Sequence, residues 1–99
     1  MTERVGLIET RLRAAFAPEH LEIVDESAKH IGHPGARAGG HFALTIVSSH
    51  FSGVPTLQRH RLIYQSLGDL MRGEIHALAI HAYAPDEHRS KHFSTEDIS

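Results

Sequence analysis

The stretch HFALTIVSSHFSGVPTLQRHRLIYQSLGDLMRGEIHALAIHAYA, residues 41–84, contains the elements that decide the fold. Apolar residues occupy every second position from Phe42 to Ile46, which is typical of a half-buried strand. From Leu57 to Met71 the apolar spacing changes to three and four residues, which predicts a helix. Alternation returns from Glu74 to Ala84 and predicts a last strand. Because a helix joins these two strands, parallel pairing is favoured.

The residues before this stretch supply one more helix and one more strand. Apolar residues recur at helical spacing from Val5 to Phe16, and Pro18 ends that helix. Alternation from His20 to Ser27 predicts a strand, and the Gly-, His- and Pro-rich residues 28–40 predict a loop. The predicted fold is therefore α+β, a two-layer sandwich. Its order is α-β-β-α-β with a short last helix, and its three-stranded sheet is mixed.

The length and hydropathy of the chain predict a single domain. Ninety-nine residues are enough for one core, which we assign to residues 1–88. Residues 89–99 form a polar tail, which we expect to be disordered. The apolar runs are too short for a bilayer, and the N-terminus lacks the pattern of a signal peptide. We therefore expect a cytoplasmic protein that has no membrane partner.

Composition argues against several classes of function. The chain has no cysteine, which excludes a thiol nucleophile and a cluster held by its own thiolates. The net charge of −2 disfavours bulk affinity for nucleic acid, because phosphate binding needs concentrated positive charge. Asp25 and Glu26 are adjacent on a strand, so they point to opposite faces and cannot act as an acid–base pair. These features predict a protein that is not an enzyme.

Histidine is the compositional outlier, with ten in the chain. His30 and His33 lie in the predicted loop, while His41 and His76 begin the second and third strands. A loop histidine and a strand-start histidine can meet at one sheet edge and bind a metal ion through imidazole. The alternative is that these imidazoles are solvated, or bonded to the backbone at the edge of the core. The spacing leaves both interpretations open.

The helix that follows begins with an arginine-rich turn, Arg59, His60 and Arg61. Cations are disfavoured at a helix N-terminus, so this placement needs a reason. Helical spacing puts His60 on the apolar side, with an arginine on each flank, and Leu62 on the polar face beside Gln58. One interpretation is that these five residues contact a partner. The other is that the arginine stems cover the edge of the core with their heads in water.

Three segments together resemble the BolA family: VDES, FALTIVSSHFSGVPTLQRHRLIYQSLGDLM and IHALAIHAY. The similarity covers roughly residues 5–85. It implies an α+β fold similar to a class II KH domain and no enzymatic activity. BolA-like proteins pair with monothiol glutaredoxins and share a [2Fe-2S] cluster with them. Thiolates come from the glutaredoxin and glutathione, and the BolA-like chain contributes histidine.

The resemblance also assigns residues. The family's histidine in the HAL motif corresponds to His76, and its second ligand comes from the loop between the first two strands. His30 is the best match for that ligand and His33 the next. Members of the family are described as transcriptional regulators of cell shape and stress response, with the Arg59–Arg61 helix in the region that faces nucleic acid.

Three hypotheses result from these observations. The first is a non-enzymatic adaptor or regulator in iron homeostasis that shares a cluster with a monothiol glutaredoxin and holds none alone. The second is a transcriptional regulator that binds DNA through the Arg59–Arg61 helix. The third is an interaction module whose histidines are incidental. A weak homodimer is compatible with each of them.

Overall fold

The computed structural model describes residues 3–27 and 40–88 and confirms the predicted α+β class. None of the helices in these two ranges has the length and apolar character needed to cross a membrane. The predicted ligands His30 and His33 and the predicted tail lie outside the described residues. The elements in chain order are α1 (Glu3–Phe16), β1 (His20–Asp25), β2 (Gly40–Val47), a 3-10 turn (Ser49–Phe51), α2 (Thr56–Leu67), α3 (Leu70–Gly73), β3 (Ile75–Tyr83) and a helical turn at 85–88.

The sheet has the strand order β1-β2-β3 and is mixed, as the sequence predicts. Strands β1 and β2 are antiparallel, with Ile23 opposite Leu44, and β2 and β3 are parallel, with Leu44 opposite Ile80. Parallel strands begin at the same end of a sheet. The first residues of β2 and β3 are therefore neighbours.

The core lies between the helices and one face of the sheet. Helix α1 contributes Ile8, Leu12 and Phe16 to the core, and β2 contributes alternate side chains. On the other face of the sheet the side chains are smaller, polar or exposed. The fully or almost fully buried members of the core include Ile8, Leu12, Phe16, Phe42, Leu44, Ile46, Phe51, Ile63 and Leu67.

The long helix that the sequence predicts between Leu57 and Met71 is divided in two. Helix α2 ends at Leu67, and α3 begins at Leu70. Gly68 adopts a φ of +51°, a conformation that glycine reaches without steric cost, and its N–H donates to the Tyr64 carbonyl. The prediction of one continuous helix from Leu57 to Met71 is therefore wrong, because the chain already turns at Gly68.

The buried side of α2 is also rotated relative to the prediction. Its buried residues are Arg59, Ile63 and Leu67, whereas Leu57 is 63% exposed. Leu62, which the sequence places on the polar face, is half-buried against the core. In the first turns of α2 the residue that faces inward is therefore Arg59, whose guanidinium donates hydrogen bonds to backbone carbonyls.

Candidate functional site

Two histidine rings meet where β2 and β3 begin. The ring centroids of His41 and His76 are 4.9 Å apart, and their planes make an angle of 44°. His76 is exposed and His41 is half-buried. The pair lies at the end of the sheet where β2 and β3 begin, in agreement with the parallel arrangement of these two strands.

A β-bulge directs His76 out of the core. Gly40 is opposite Ile75 and His41 is opposite Ala77, so β3 has one extra residue, His76, between the two pairs. A bulge changes the direction of a side chain relative to the regular alternation of a strand. This explains why His76 is exposed, although the sequence places it on the same face as Leu78 and Ile80.

Hydrogen bonds from backbone N–H groups to side-chain oxygens hold the start of β2 beside the residues that follow β1. The His41 N–H donates to Ser27 Oγ at 3.0 Å, and the Ser27 N–H donates to Asp25 Oδ1 at 2.9 Å. The hydrogen bonds from Ser27 hold the pKa of Asp25 below its ordinary value. Gly40 allows a close approach, because a Cβ there would lie 2.5 Å from the Phe42 ring. The position of His41 is therefore defined by the Ser27 hydroxyl and by the close packing at Gly40.

The donor set of this site suits a shared metal centre. Neutral imidazole is a ligand for iron, copper and zinc. Within residues 3–27 and 40–88, no group of three or more histidine, cysteine, aspartate or glutamate side chains is arranged to hold a metal ion. Two adjacent imidazoles can cap one metal ion, but the remaining ligands must come from elsewhere. The geometry thus fits a metal group that takes only some of its ligands from the residues described.

The sequence predicts a loop histidine, rather than His41, as the partner of His76. The sequence nevertheless contains a pattern that predicts contact between His41 and His76. The two residues begin strands that the sequence predicted to be parallel, and such strands begin at one edge. His30 and His33 lie outside the described residues, so their role as a second ligand stays a prediction.

Arg59 occupies a different environment from the one that the sequence suggested. It is 7% exposed. Its Nε donates to the Val54 carbonyl at 2.6 Å, and its Nη1 donates to the Ala82 carbonyl at 2.9 Å. Nη1 and Nη2 also donate to the two carboxylate oxygens of Glu87, at 2.6 and 2.8 Å. The expectation that both arginine heads lie outside is therefore wrong for Arg59, because its donors are used within the chain.

Glu87 completes this arrangement. The hydrogen bonds from Arg59, and next the one from the Ala84 N–H, lower the pKa of Glu87 to about 2. The hydrogen bonds to Glu87 also raise the pKa of Arg59. The carboxylate thus joins α2 to the turn at residues 85–88. This role was not predicted from the sequence, although Glu87 lies three positions after Ala84, the residue before the helical turn, and an acidic residue at that spacing is a capping signal.

The other residues of the predicted contact patch are divided between the surface and the interior. Gln58 and Arg61 are exposed, whereas His60 and Leu62 are half-buried. Large apolar side chains also reach the surface on α2, at Leu57 and Tyr64. The surface that α2 offers to a partner therefore contains Arg61 but not the guanidinium of Arg59.

A comparison with protein families matches residues 12–87 to the family model BolA, described as BolA-like protein. This match covers most of the chain. The chain belongs to the BolA family. The resemblance in the three sequence segments is therefore confirmed.

Individual relatives support the same assignment to the BolA family. The DNA-binding transcriptional regulator BolA of Escherichia coli is 45% identical over 80 residues, which are 81% of this chain and 74% of that protein. Human BolA-like protein 1 is 44% identical over 82 residues, which are 83% of this chain and 58% of that protein. These names describe regulators or BolA-like proteins rather than enzymes, which supports a non-enzymatic role at the level of the family.

Solved BolA structures share the fold. The BolA domain of SufE1 from Arabidopsis thaliana has a TM-score of 0.78 and 40% identity, with 88% of this chain and 98% of that one covered. The solution structure of BolA1 from Mus musculus has a TM-score of 0.77 and 37% identity, with 92% and 72% covered. The element order and sheet described above are thus those of BolA proteins.

Proposed function

We propose that this chain is a non-enzymatic, cytoplasmic regulator or adaptor that shares a [2Fe-2S] cluster with a monothiol glutaredoxin. In this role it would contribute histidine ligands and act in iron homeostasis and the stress response. The observation that supports the proposal is the contact between the rings of His41 and His76 at an exposed sheet edge. Membership of the BolA family is consistent with it.

The chemistry of the chain agrees with a shared cluster rather than one that it holds alone. The chain has no cysteine, so thiolates must come from the glutaredoxin and from glutathione. A cluster with imidazole in place of thiolate has a higher reduction potential, as in Rieske centres. His76, exposed at the bulge, can reach a metal ion on a docked partner, and His41 lies beside it as the nearest second imidazole among the described residues.

The proposal is tested by mixing the purified chain with a monothiol glutaredoxin, glutathione, iron and sulfide, and recording visible absorption and circular dichroism. We expect His76→Ala to remove or change the spectrum of the mixed cluster. His81→Ala is the matched control, because His81 is also exposed on β3 but lies away from the bulge. An unchanged spectrum from folded His76→Ala would contradict the assignment.

The same assay identifies the second ligand. His41→Ala tests the neighbour that the structure shows, and His30→Ala and His33→Ala test the loop positions that the family resemblance implies. We expect His30→Ala to have a larger effect than His33→Ala. If both loop variants are silent and His41→Ala changes the spectrum, the ligand pair is His41 and His76.

A second candidate function is regulation of transcription by DNA binding. It is favoured by the name of the Escherichia coli relative, which is 45% identical to this chain. Because the guanidinium of Arg59 is bonded internally, phosphates would have to be bound through Arg61 and its exposed neighbours. Each phosphate contact adds about one unit to the slope of log affinity against log salt. If DNA is the partner, Arg61→Ala should flatten that slope by about one unit.

The two functions predict that Arg61→Ala weakens binding to different partners. We expect weaker glutaredoxin binding and DNA binding that stays near a weak background. Tight, salt-sensitive DNA binding by the cluster-free chain, reduced by Arg61→Ala, would instead favour the transcriptional role. Fluorescence anisotropy with labelled duplex DNA and calorimetry with the glutaredoxin measure the two affinities on one protein preparation.

A further inference from the structure

The two edges of the sheet differ in how they are protected. Strand β1 is one edge, has six residues and carries Glu22 and Asp25. Strand β3 is the other edge and has nine residues, Ile75–Tyr83, with no lysine, arginine, aspartate, glutamate or proline. Proteins protect exposed edges with charge, proline, bulges or short strands, and of these devices β3 has only the bulge at His76, near its start.

One hydrogen bond shows which residues of β3 direct their backbone N–H and C=O groups toward β2 and which direct them outward. The Tyr83 carbonyl accepts the Ser48 N–H, so Tyr83 faces β2. In a parallel ladder the residues that bond to a neighbour alternate. His81 and Ala79 therefore also bond to β2, and Ile80 and Leu78 direct their N–H and C=O groups outward. The Ala82 carbonyl points outward too, since it accepts from Arg59.

At the centre of the strand, these outward groups have no partner among the residues that the structure describes. Within residues 3–27 and 40–88, no hydrogen bond occupies the outward N–H and C=O groups of Leu78 and Ile80. Beyond Ile80 the edge is closed by the guanidinium of Arg59 on the Ala82 carbonyl. Before Leu78, the bulge at His76 interrupts the regular ladder. The accessible edge is thus short and bounded on both sides.

The free part of the edge is complementary to itself. Leu78 and Ile80 lie one residue to either side of Ala79. In an antiparallel pair with its two-fold axis at Ala79, Leu78 of one copy is opposite Ile80 of the other, and the reverse. Residues in such a hydrogen-bonded pair exchange both of their bonds. The groups left free by one chain therefore match the groups left free by a second chain.

The side chains on both faces are compatible with this pairing. Those of Leu78 and Ile80 pack against the core but remain half-exposed, so each would cover the other across the pair. On the opposite face Ala79 would meet Ala79, a non-hydrogen-bonded pair in which the strands approach closely. Small, uncharged side chains permit that approach.

We propose that β3 of this chain pairs with β3 of a second copy, antiparallel about Ala79, so that two three-stranded sheets become one six-stranded sheet. The interface is small, and interfaces below about 1,200 Å² are typical of weak, transient association. The dimer should therefore form reversibly as concentration rises. It needs no cluster and no other partner, so it is independent of the function proposed above.

Introducing a charged residue at position 79 tests this pairing of the two β3 strands. Ala79 is exposed, so Ala79→Lys and Ala79→Glu leave the core of the monomer unchanged. Like charges directly opposite on paired strands are destabilising, whereas opposite charges are favourable. In sedimentation velocity from about 10 µM to about 1 mM, a range suited to weak interfaces, we expect the unchanged chain to dimerise. Each variant alone should stay monomeric, and an equimolar mixture of the two should dimerise.

Val24→Lys is the matched control. Val24 lies in the same cross-strand row as Ala79, through Ala43, but on the β1 edge, and it is also exposed. This variant should dimerise as the unchanged chain does. Equal loss of dimer in Val24→Lys and Ala79→Lys would overturn the proposal, as would a chain that stays monomeric to about 1 mM.

Amide hydrogen exchange gives a second, residue-specific readout. The amides of Leu78 and Ile80 should become protected as concentration rises, because they gain carbonyl partners from the second copy. The amides of Ala79 and His81 should be protected at every concentration, since they bond to β2. A dimer in which Leu78 and Ile80 remain unprotected would show that another surface is used.

Discussion

The two ends of β3 differ in what the chain itself offers to a polar side chain. At the start of the strand, His76 is exposed and contacts another imidazole. Near the end, the Ala82 carbonyl is bonded to Arg59, whose guanidinium also binds a carboxylate from the next turn. A polar group with complementary partners inside the chain serves the fold. A polar side chain such as His76, whose ring contacts another imidazole, remains available to an external ligand.

The largest expected effect on stability comes from removing the side chain of Arg59, the buried residue in this comparison. Arg59→Ala deprives two carbonyls of a donor and leaves Glu87 without its ion pair, so the free energy of unfolding should fall by about 3 kcal/mol. Urea denaturation followed by circular dichroism measures it. Arg61→Ala is the control and should change stability by less than about 0.5 kcal/mol, because it is exposed. Similar losses in both variants would show that the pair with Glu87 contributes little.

A smaller loss is expected at the backbone beside His41. In Gly40→Ala the new Cβ would lie 2.5 Å from two atoms of the Phe42 ring. The ring or strand must move, which should lower the free energy of unfolding by about 2 kcal/mol and disturb the histidine pair. Gly6→Ala is the control, since nothing lies within 4 Å of a Cβ there. That variant should be neutral or slightly stabilising. NMR shifts of the His76 ring report the local change.

The ion pair at the end of β3 should make stability depend on pH in a defined direction. Folding lowers the pKa of Glu87 from 4.5 to about 2, so the folded state favours the carboxylate. Its contribution is complete above about pH 4.5 and is lost as pH falls toward 2. Because the Glu87 side chain is 43% exposed, screening limits this contribution to about 1 kcal/mol. The stability difference between the unchanged chain and Glu87→Gln should shrink over that range. A constant difference would contradict the pKa assignment.

The smallest effect on stability is expected at the other end of the strand. His76→Ala removes an exposed side chain, so the free energy of unfolding should change by less than about 0.5 kcal/mol. Thermal and urea unfolding measure this, alongside the cluster spectrum described above. A loss as large as that of Arg59→Ala would mean that His76 is part of the fold, and the comparison between the two ends would fail.

Much of the architecture was predictable because local patterns carried it. The alternation in β2 and β3, the helical spacing of α1 and the joining helix were enough for the class, the order and the mixed sheet. The position of the break in the long helix was not. Gly68 and Gly73 are both plausible ends by composition, and the turn is placed by the packing of α3 on β3.

The site was predictable in part. His76 was identified from its motif and strand position, but its exposure depends on a bulge that involves two strands. Its contact with His41 depends on the register between strands 35 residues apart in the chain, at positions 41 and 76. Arg59 shows the same limit. Its spacing in α2 could not reveal that Val54, Ala82 and Glu87 converge on it.

By itself, the sequence determined which side chains are available and which local structures they favour, because periodicity, turns and composition act over a few residues. It therefore determined the α+β fold, the absence of cysteine and the abundance of histidine. The tertiary structure alone decided which groups find partners inside the chain. Hydrogen bonds and ring contacts act over a few ångströms, so they depend on register and packing between distant segments. For that reason two neighbouring arginines on one helix, Arg59 and Arg61, have one buried and one exposed head.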